Sequence, residues 1–189
     1  LYTAPADAAG YVVINEDFSK ISGSGVTIDK PFAFQNGKYE KVNLDMVYNN
    51  GWECYWGGYA DGCFVCTGMT DYNISGELVT PQLTLNNDGG SYQVKVKARS
   101  MLKDETLIVY SKNTRETKQC QLNPDDWSTF TLNFTAGQLS DRIAFTSQNH
   151  YPFIIDEIKI TQNLKAGDRV YTFLDNSEEI EEEEETSYT

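Results

Sequence analysis

The stretch YPFIIDEIKIT, residues 151–161, constrains this chain more than any other. β-Branched and aromatic residues dominate it, and Pro152 stands at its entry, where a missing N–H does a strand no harm. Alternation predicts Ile154, Ile158 and Ile160 on one face, with Glu157, Lys159 and Thr161 on the other. Asp156 falls in phase with the isoleucines, so the pattern turns it toward the core. A carboxylate there needs a cation or several donors to offset its lost hydration.

The rest of the chain speaks the same language. Residues 91–99 alternate most cleanly, with Tyr92, Val94, Val96 and Ala98 against Gln93, Lys95, Lys97 and Arg99. That strand has one wet face. Further strands are predicted at 11–15, 41–47, 106–110, 117–120, 128–134 and 142–146. The segment 76–85 reads as a strand pair broken by Pro81, and NNDGG follows as a strong turn signal. Strands roughly 8 to 14 residues apart, with no helical period in any window of about 11 residues, predict an all-β fold. The expected architecture is a two-sheet antiparallel β-sandwich of the jelly-roll kind.

Composition divides the chain. Residues 1–10 are small, polar and Pro/Ala-rich, a leader or linker; 11–163 form the sandwich; 164–189 combine a linker, a short strand at 169–174 and an acidic run. The net charge of −13 falls to −6 once the seven glutamates of residues 178–185 are set aside. A mildly acidic body argues against nucleic acid and anionic membrane as partners. No run approaches the roughly 18 apolar residues of a membrane span. The opening LYTAPADAAGY holds neither Met nor a signal peptide, so the chain reads as a mature or excised piece with any export signal upstream.

Several landmarks line up in order: EDF after the first strand, Gly51-Trp52, GELVTPQLTL, SYQVKVKAR, DETLIVYS, Trp127 before STFTLNF, IAFTSQN and the closing IIDEIKIT. This order, over about residues 11–163, resembles the β-jelly-roll accessory domains of secreted bacterial surface proteins, the cleaved-adhesin and MAM-like group. The resemblance implies a non-catalytic module beside fibronectin-type, peptidase or glycosidase domains. It also implies a structural calcium. Residues from 164 onward look like the start of a following fibronectin-like module. Cys54, Cys63, Cys66 and Cys120 depart from that family.

The chemistry-bearing residues narrow the choice. His150 is the only histidine, so a two-imidazole metal site is excluded and a Ser-His-Asp triad would rest on one residue. No Gly-rich phosphate loop precedes a helix, and no carboxylate pair is marked out. The reading is a non-enzyme. Cys63-Phe-Val-Cys66 has a zinc-like gap but no second pair, and a strand sends its two thiols to opposite faces. Disulfide and buried free thiol both stay open. The aromatic cluster Trp52, Tyr55, Trp56 and Tyr59 is the candidate platform for a sugar, with Trp56, Tyr59 and Tyr55 its contact residues, since aromatic faces stack on pyranose rings; Trp52 is core on the other reading. The alternative is that these rings pack under a long loop. Asp156, Asp17 and, in reserve, Glu16 are the candidate calcium ligands, because calcium takes six to eight oxygens and accepts carbonyls readily. The expected partners are a polysaccharide or glycoprotein glycan and neighbouring domains of the same chain, in a secreted or cell-surface protein. The rival expectation is a spacer that only positions a catalytic neighbour.

Overall fold

The structure, a computed structural model, describes residues 1–22, 25–34 and 37–173. The strands in chain order are β1 (Tyr2–Thr3), β2 (Ala8–Glu16), β3 (Phe32–Ala33), β4 (Glu40–Lys41), β5 (Glu53–Tyr55), β6 (Gly58–Ala60), β7 (Cys63–Cys66) and β8 (Glu77–Val79). They continue with β9 (Tyr92–Ser100), β10 (Glu105–Ser111), β11 (Thr117–Leu122), β12 (Ser128–Phe134), β13 (Ile143–Ser147), β14 (Phe153–Leu164) and β15 (Arg169–Val170). Among the described residues helix is confined to three short 3-10 turns. The chain is a β-sandwich, as its periodicity predicts.

One sheet has six strands in the order β11-β10-β13-β8-β5-β4. The other has seven, β12-β9-β14-β7-β6-β3 with β2 beside β14. All pairings are antiparallel. Between the sheets lies one continuous apolar cluster, with Leu78, Leu107 and Phe145 facing Val94, Val96 and Phe153. Phe18, Trp52 and Phe64 fill one end of it, all fully buried, with Phe18 meeting Trp52 edge-on at 5.4 Å between ring centroids. Rings of that size dominate core energetics by the area they remove from water.

The long strand β14 organises the seven-stranded sheet, but its phase differs from the simple alternation. Along one edge it pairs with β7 up to Ile155 and with β2 from Ile158 onward. On the other edge its register against β9 slips between Ile155 and Glu157. A bulge adds one residue and so reverses which face follows. Phe153, Ile155, Ile158 and Ile160 therefore share the main core, while Ile154 packs outside with Cys63 and Val65. Asp156 is the extra residue. It points outward with its side chain one-third exposed, not inward with the isoleucines.

Other local predictions give way to specific chemistry. The strand expected at 41–47 is only Glu40–Lys41, because Asn43 caps a 3-10 turn at Leu44–Met46 by accepting from the Asp45 N–H at 2.9 Å. Residues 1–10 are no loose leader. β1 pairs with β15, and Ala4 is buried against Leu164 and Val170 in a small core of its own. The body therefore runs past residue 163, since β14 continues to Leu164 and β15 closes on the N-terminus. The acidic run of 178–185 lies outside the described residues. The dense segment from Gly51 to Cys66 resolves into three short strands that change sheet midway. β5 belongs to the six-stranded sheet and β6 to the seven-stranded one, and the chain crosses at Trp56-Gly57. Gly58 is required there: a Cβ at this position would lie 1.5 Å from the Phe32 carbonyl oxygen. That approach is what lets β3 join β6.

Candidate functional site

The outer face of the six-stranded sheet carries the most organised polar chemistry of the described residues. Register fixes its rows. Ile108 stands opposite Thr146 and Gln119, Thr146 opposite Glu77, and Glu77 opposite Tyr55. In the neighbouring row Tyr110 stands opposite Ala144, Ala144 opposite Val79, and Val79 opposite Glu53. Period two sends the alternate residues Leu78, Leu107, Val109 and Phe145 into the core.

Glu77 is the hub of this face. It is 7% exposed, yet neither of its carboxylate oxygens is idle. The Tyr39 hydroxyl donates to one and the Tyr110 hydroxyl to the other. Lys112 Nζ lies 3.4 Å from Oε2, which offsets the charge. Lys112 also sits over the rings of Tyr39 (5.1 Å) and Tyr110 (5.7 Å), within cation–π range. Burial, with the Glu77 hydrogen bond and charge behind it, pushes the phenols of Tyr39 and Tyr110 far above their usual range. They therefore remain proton donors. Tyr39 packs on Tyr55 at 5.3 Å, and Tyr55 meets Trp56 edge-on at 6.4 Å. Arg142 Nη1 donates to Glu53 Oε1 at 2.9 Å at the margin.

Such a face offers aromatic rings with hydroxyl, ammonium and guanidinium donors at their rims. It is poorly built for acid–base chemistry, since Glu77 takes three donors and Glu53 is paired with Arg142. The lone histidine is also committed. Ser75 Oγ donates to the Ser147 carbonyl at 2.7 Å and lies 2.7 Å from His150 Nδ1, so His150 must be the donor in that contact. That is the reverse of a base activating a serine.

The three aromatic residues singled out by sequence divide. Tyr55 and Trp56 belong to this face. Tyr59 sits on β6 in the other sheet, stacked on Phe32 at 5.0 Å and meeting Phe34 at 6.0 Å. Trp56 is only half-exposed despite its flanking glycines, and its indole N–H is buried without a partner. Sequence reading passed over Tyr39, Glu77, Tyr110 and Lys112. One signal was available: Glu77 is the single charge in the otherwise apolar β8, and a buried charge needs partners.

The expected calcium ligands occupy another corner. Where β14 passes from β7 to β2, the gap forms an open depression lined by Asp17, Asp61, Asp156 and Glu157. Asp156 Oδ2 lies 3.3 Å from Lys97 Nζ, and Cys63 Sγ lies 3.5 Å from Oδ1. Hydrogen bonds from Ser19 hold the Asp17 carboxyl below its usual range. Glu16 is fully buried and accepts from the N–H of Phe18 at 2.9 Å and of Asn49 at 2.8 Å. Among the described residues no three His, Cys, Asp or Glu side chains converge tightly enough to hold a metal by themselves.

All four cysteines are free and buried. Cys66 faces the core and Cys63 the opposite side, as strand geometry requires. Burial pushes the Cys54 and Cys63 thiols up to about 12 and Cys120 to about 11, so all three stay protonated at neutral pH.

No protein-family model and no curated protein matches the chain. Solved structures do resemble it, and they include carbohydrate-binding modules. The CBM1 module of BiXyn10A, in its apo form, is 16% identical with a TM-score of 0.48, over 80% of this chain and 99% of its own. The CBM22-1 xylan-binding domain of Paenibacillus barcinonensis Xyn10C is 13% identical with a TM-score of 0.46, over 84% of this chain and 97% of its own. A carbohydrate-binding module of family 29 is 14% identical with a TM-score of 0.44, over 81% and 88%.

Proposed function

We propose that this domain is a non-catalytic glycan-binding module that holds a neutral sugar chain against the outer face of its six-stranded sheet. One observation carries the reading: Tyr39, Tyr55 and Tyr110 are gathered around Glu77 and Lys112 on a sheet face, with the Tyr39 and Tyr110 hydroxyls fixed by a shared carboxylate and the Tyr55 ring packed on Tyr39. Fixed rings need little further ordering on binding, which is where weak ligands lose most of their affinity. Tyr55 and Trp56 contact the sugar on this reading, and Tyr59 belongs to a separate aromatic cluster. Binding of a polysaccharide panel by calorimetry tests it. Tyr110→Ala should lower affinity about ten-fold, the loss of one stacking platform. If the unmutated protein binds no neutral glycan, the spacer reading replaces this one.

The kinship with cleaved-adhesin and MAM-like domains, the extracellular setting and the neighbouring catalytic or fibronectin-type domains belong to the same proposal. So does a structural calcium at Asp17 and Asp156. Carboxylates suit a hard cation, Asp61 stands in the same depression, and calcium completes its shell with carbonyls and water. Glu16 serves that corner by anchoring the loop to Asn49. A chelator should lower the melting temperature and Asp156→Ala should abolish the response; identical melting with and without chelator removes the site.

A further inference from the structure

The outer face of the seven-stranded sheet carries a different pattern. β9 turns Lys95, Lys97 and Arg99 to the outer face, Lys95 exposed and the other two part-buried, with Arg99 donating to the Ser100 and Pro124 carbonyls, while its alternate residues Val94, Val96 and Ala98 are fully buried. Lys159 of β14 stands directly opposite Lys95. On the other flank, β12 places Thr131 opposite Lys95 and Thr129 opposite Lys97, and both threonines are exposed. Trp127 lies at the end of the strip with Arg99 5.2 Å and Lys97 5.8 Å from its ring centroid.

Four cations on one strip are notable in a chain of 15 basic and 28 acidic residues. Their compensation is thin. Lys97 pairs with Asp156 at 3.3 Å, and Glu157 faces Lys97 across the strands. Neither Lys95 nor Lys159 has a carboxylate within ion-pair distance among the described residues. Like charges set directly opposite on adjacent strands repel, and an anion placed between them removes that cost.

We propose that this strip binds a polyanionic polysaccharide, one bearing carboxylate or sulfate groups. The row Thr131–Lys95–Lys159 sets a hydroxyl beside two adjacent ammoniums, groups that pair with the hydroxyls and the anionic substituents of a charged sugar chain. The strip spans three strands, roughly 10 Å from β12 to β14, the width of a single polysaccharide chain rather than a duplex or a bilayer. Either of those larger polyanions would also meet the acidic remainder of the surface. This surface is separate from the tyrosine face, so failure of neutral-glycan binding leaves it standing.

Binding of the full chain to polygalacturonate and to dextran sulfate, with unsubstituted dextran as control, decides the matter. Both anionic polymers should bind at low ionic strength and dextran should not bind at this strip. The Lys95→Gln/Lys159→Gln variant should lose about ten-fold in affinity and show a flatter salt dependence. Glu157→Gln, which removes a negative charge from the strip, should bind more tightly. Dextran binding that falls in the double variant as far as the anionic binding does, anionic binding unchanged in the double variant, or poly-glutamate binding as tightly as the sugars would each overturn the proposal. The last outcome would make the strip a dock for an acidic polypeptide.

Discussion

The two outer faces of this sandwich solve the problem of polar groups on a sheet in opposite ways. On the six-stranded sheet the charges are gathered and neutralised locally: Glu77 takes two phenols and an ammonium, and Glu53 takes Arg142. On the seven-stranded sheet like charges stand side by side, and among the described residues Lys97 is the one cation of the strip in an ion pair. On the first face the Glu77 network is half-buried and internally satisfied, so the Tyr39 and Tyr110 rings are fixed before anything binds. The second is more open: Lys97 and Arg99 are held at its Trp127 end, by Asp156 and by the Ser100 and Pro124 carbonyls, while Lys95 and Lys159 face solvent. A satisfied buried network contributes to stability and shape, whereas an unsatisfied exposed row contributes to neither and is free to act on a partner.

The sharpest way to break that contrast is to remove its hub. Glu77→Ala leaves two half-buried hydroxyls and an ammonium without their acceptor. The cost should be about 3 kcal/mol, seen as a fall of roughly 10 °C in melting temperature. Glu77→Gln, which keeps an acceptor oxygen, should cost less. Removing the Lys97 charge on the other face should change melting by no more than a degree or two, since its partner is exposed. Equal losses on both faces would show that the first network is not the organised one.

Alkali offers a second test, of intermediate size. Tyr39 and Tyr110 have folded-state pKa values raised above the ordinary 10.0, so the folded protein holds these protons more tightly than the unfolded chain. Their contribution is fully present below pH 10 and is lost as pH rises above it. Stability should therefore fall steeply in that range, and Tyr39→Phe/Tyr110→Phe should flatten the fall. Denaturant titrations at stepped pH measure this. An unchanged slope would show that burial and Glu77 do not hold these protons.

Much of this architecture was readable from residue order, and the failures share a cause. Strands β9 and β12 follow from strict alternation, because one face of each meets water. β14 misled because a bulge is a property of pairing. Only the partners β7, β2 and β9 reveal that Asp156 is the extra residue, and a single strand cannot announce it. The aromatic segment misled similarly. Tyr55 and Tyr59 are four residues apart, yet the crossing at Trp56-Gly57 sends them to different sheets. Tyr39, Glu77 and the neighbours Tyr110 and Lys112 come from three separate stretches of chain, and nothing local marks stretches 33 to 73 positions apart as one cluster. The charged row on β9 was legible as a wet face, but its opposition to Lys159 needed the register.

The smallest expected effect is also the cleanest probe of the second face. Replacing Lys159 by threonine removes a like charge directly opposite Lys95 and substitutes a better strand former. Nothing pairs with the Lys159 ammonium among the described residues, so no ion pair is lost. The variant should therefore gain about 0.5 kcal/mol, and Lys95→Thr a similar amount. The two gains should not add, because either substitution relieves the same repulsion. Raising ionic strength toward 1 M should shrink the electrostatic part of each gain, as a Debye length near 3 Å screens an exposed pair, while the strand-propensity part persists. Urea titrations of parent, single and double variants at low and high salt separate the two parts. A loss of stability in Lys159→Thr would show that its ammonium is held by a favourable contact and that the row is not one of repelling charges.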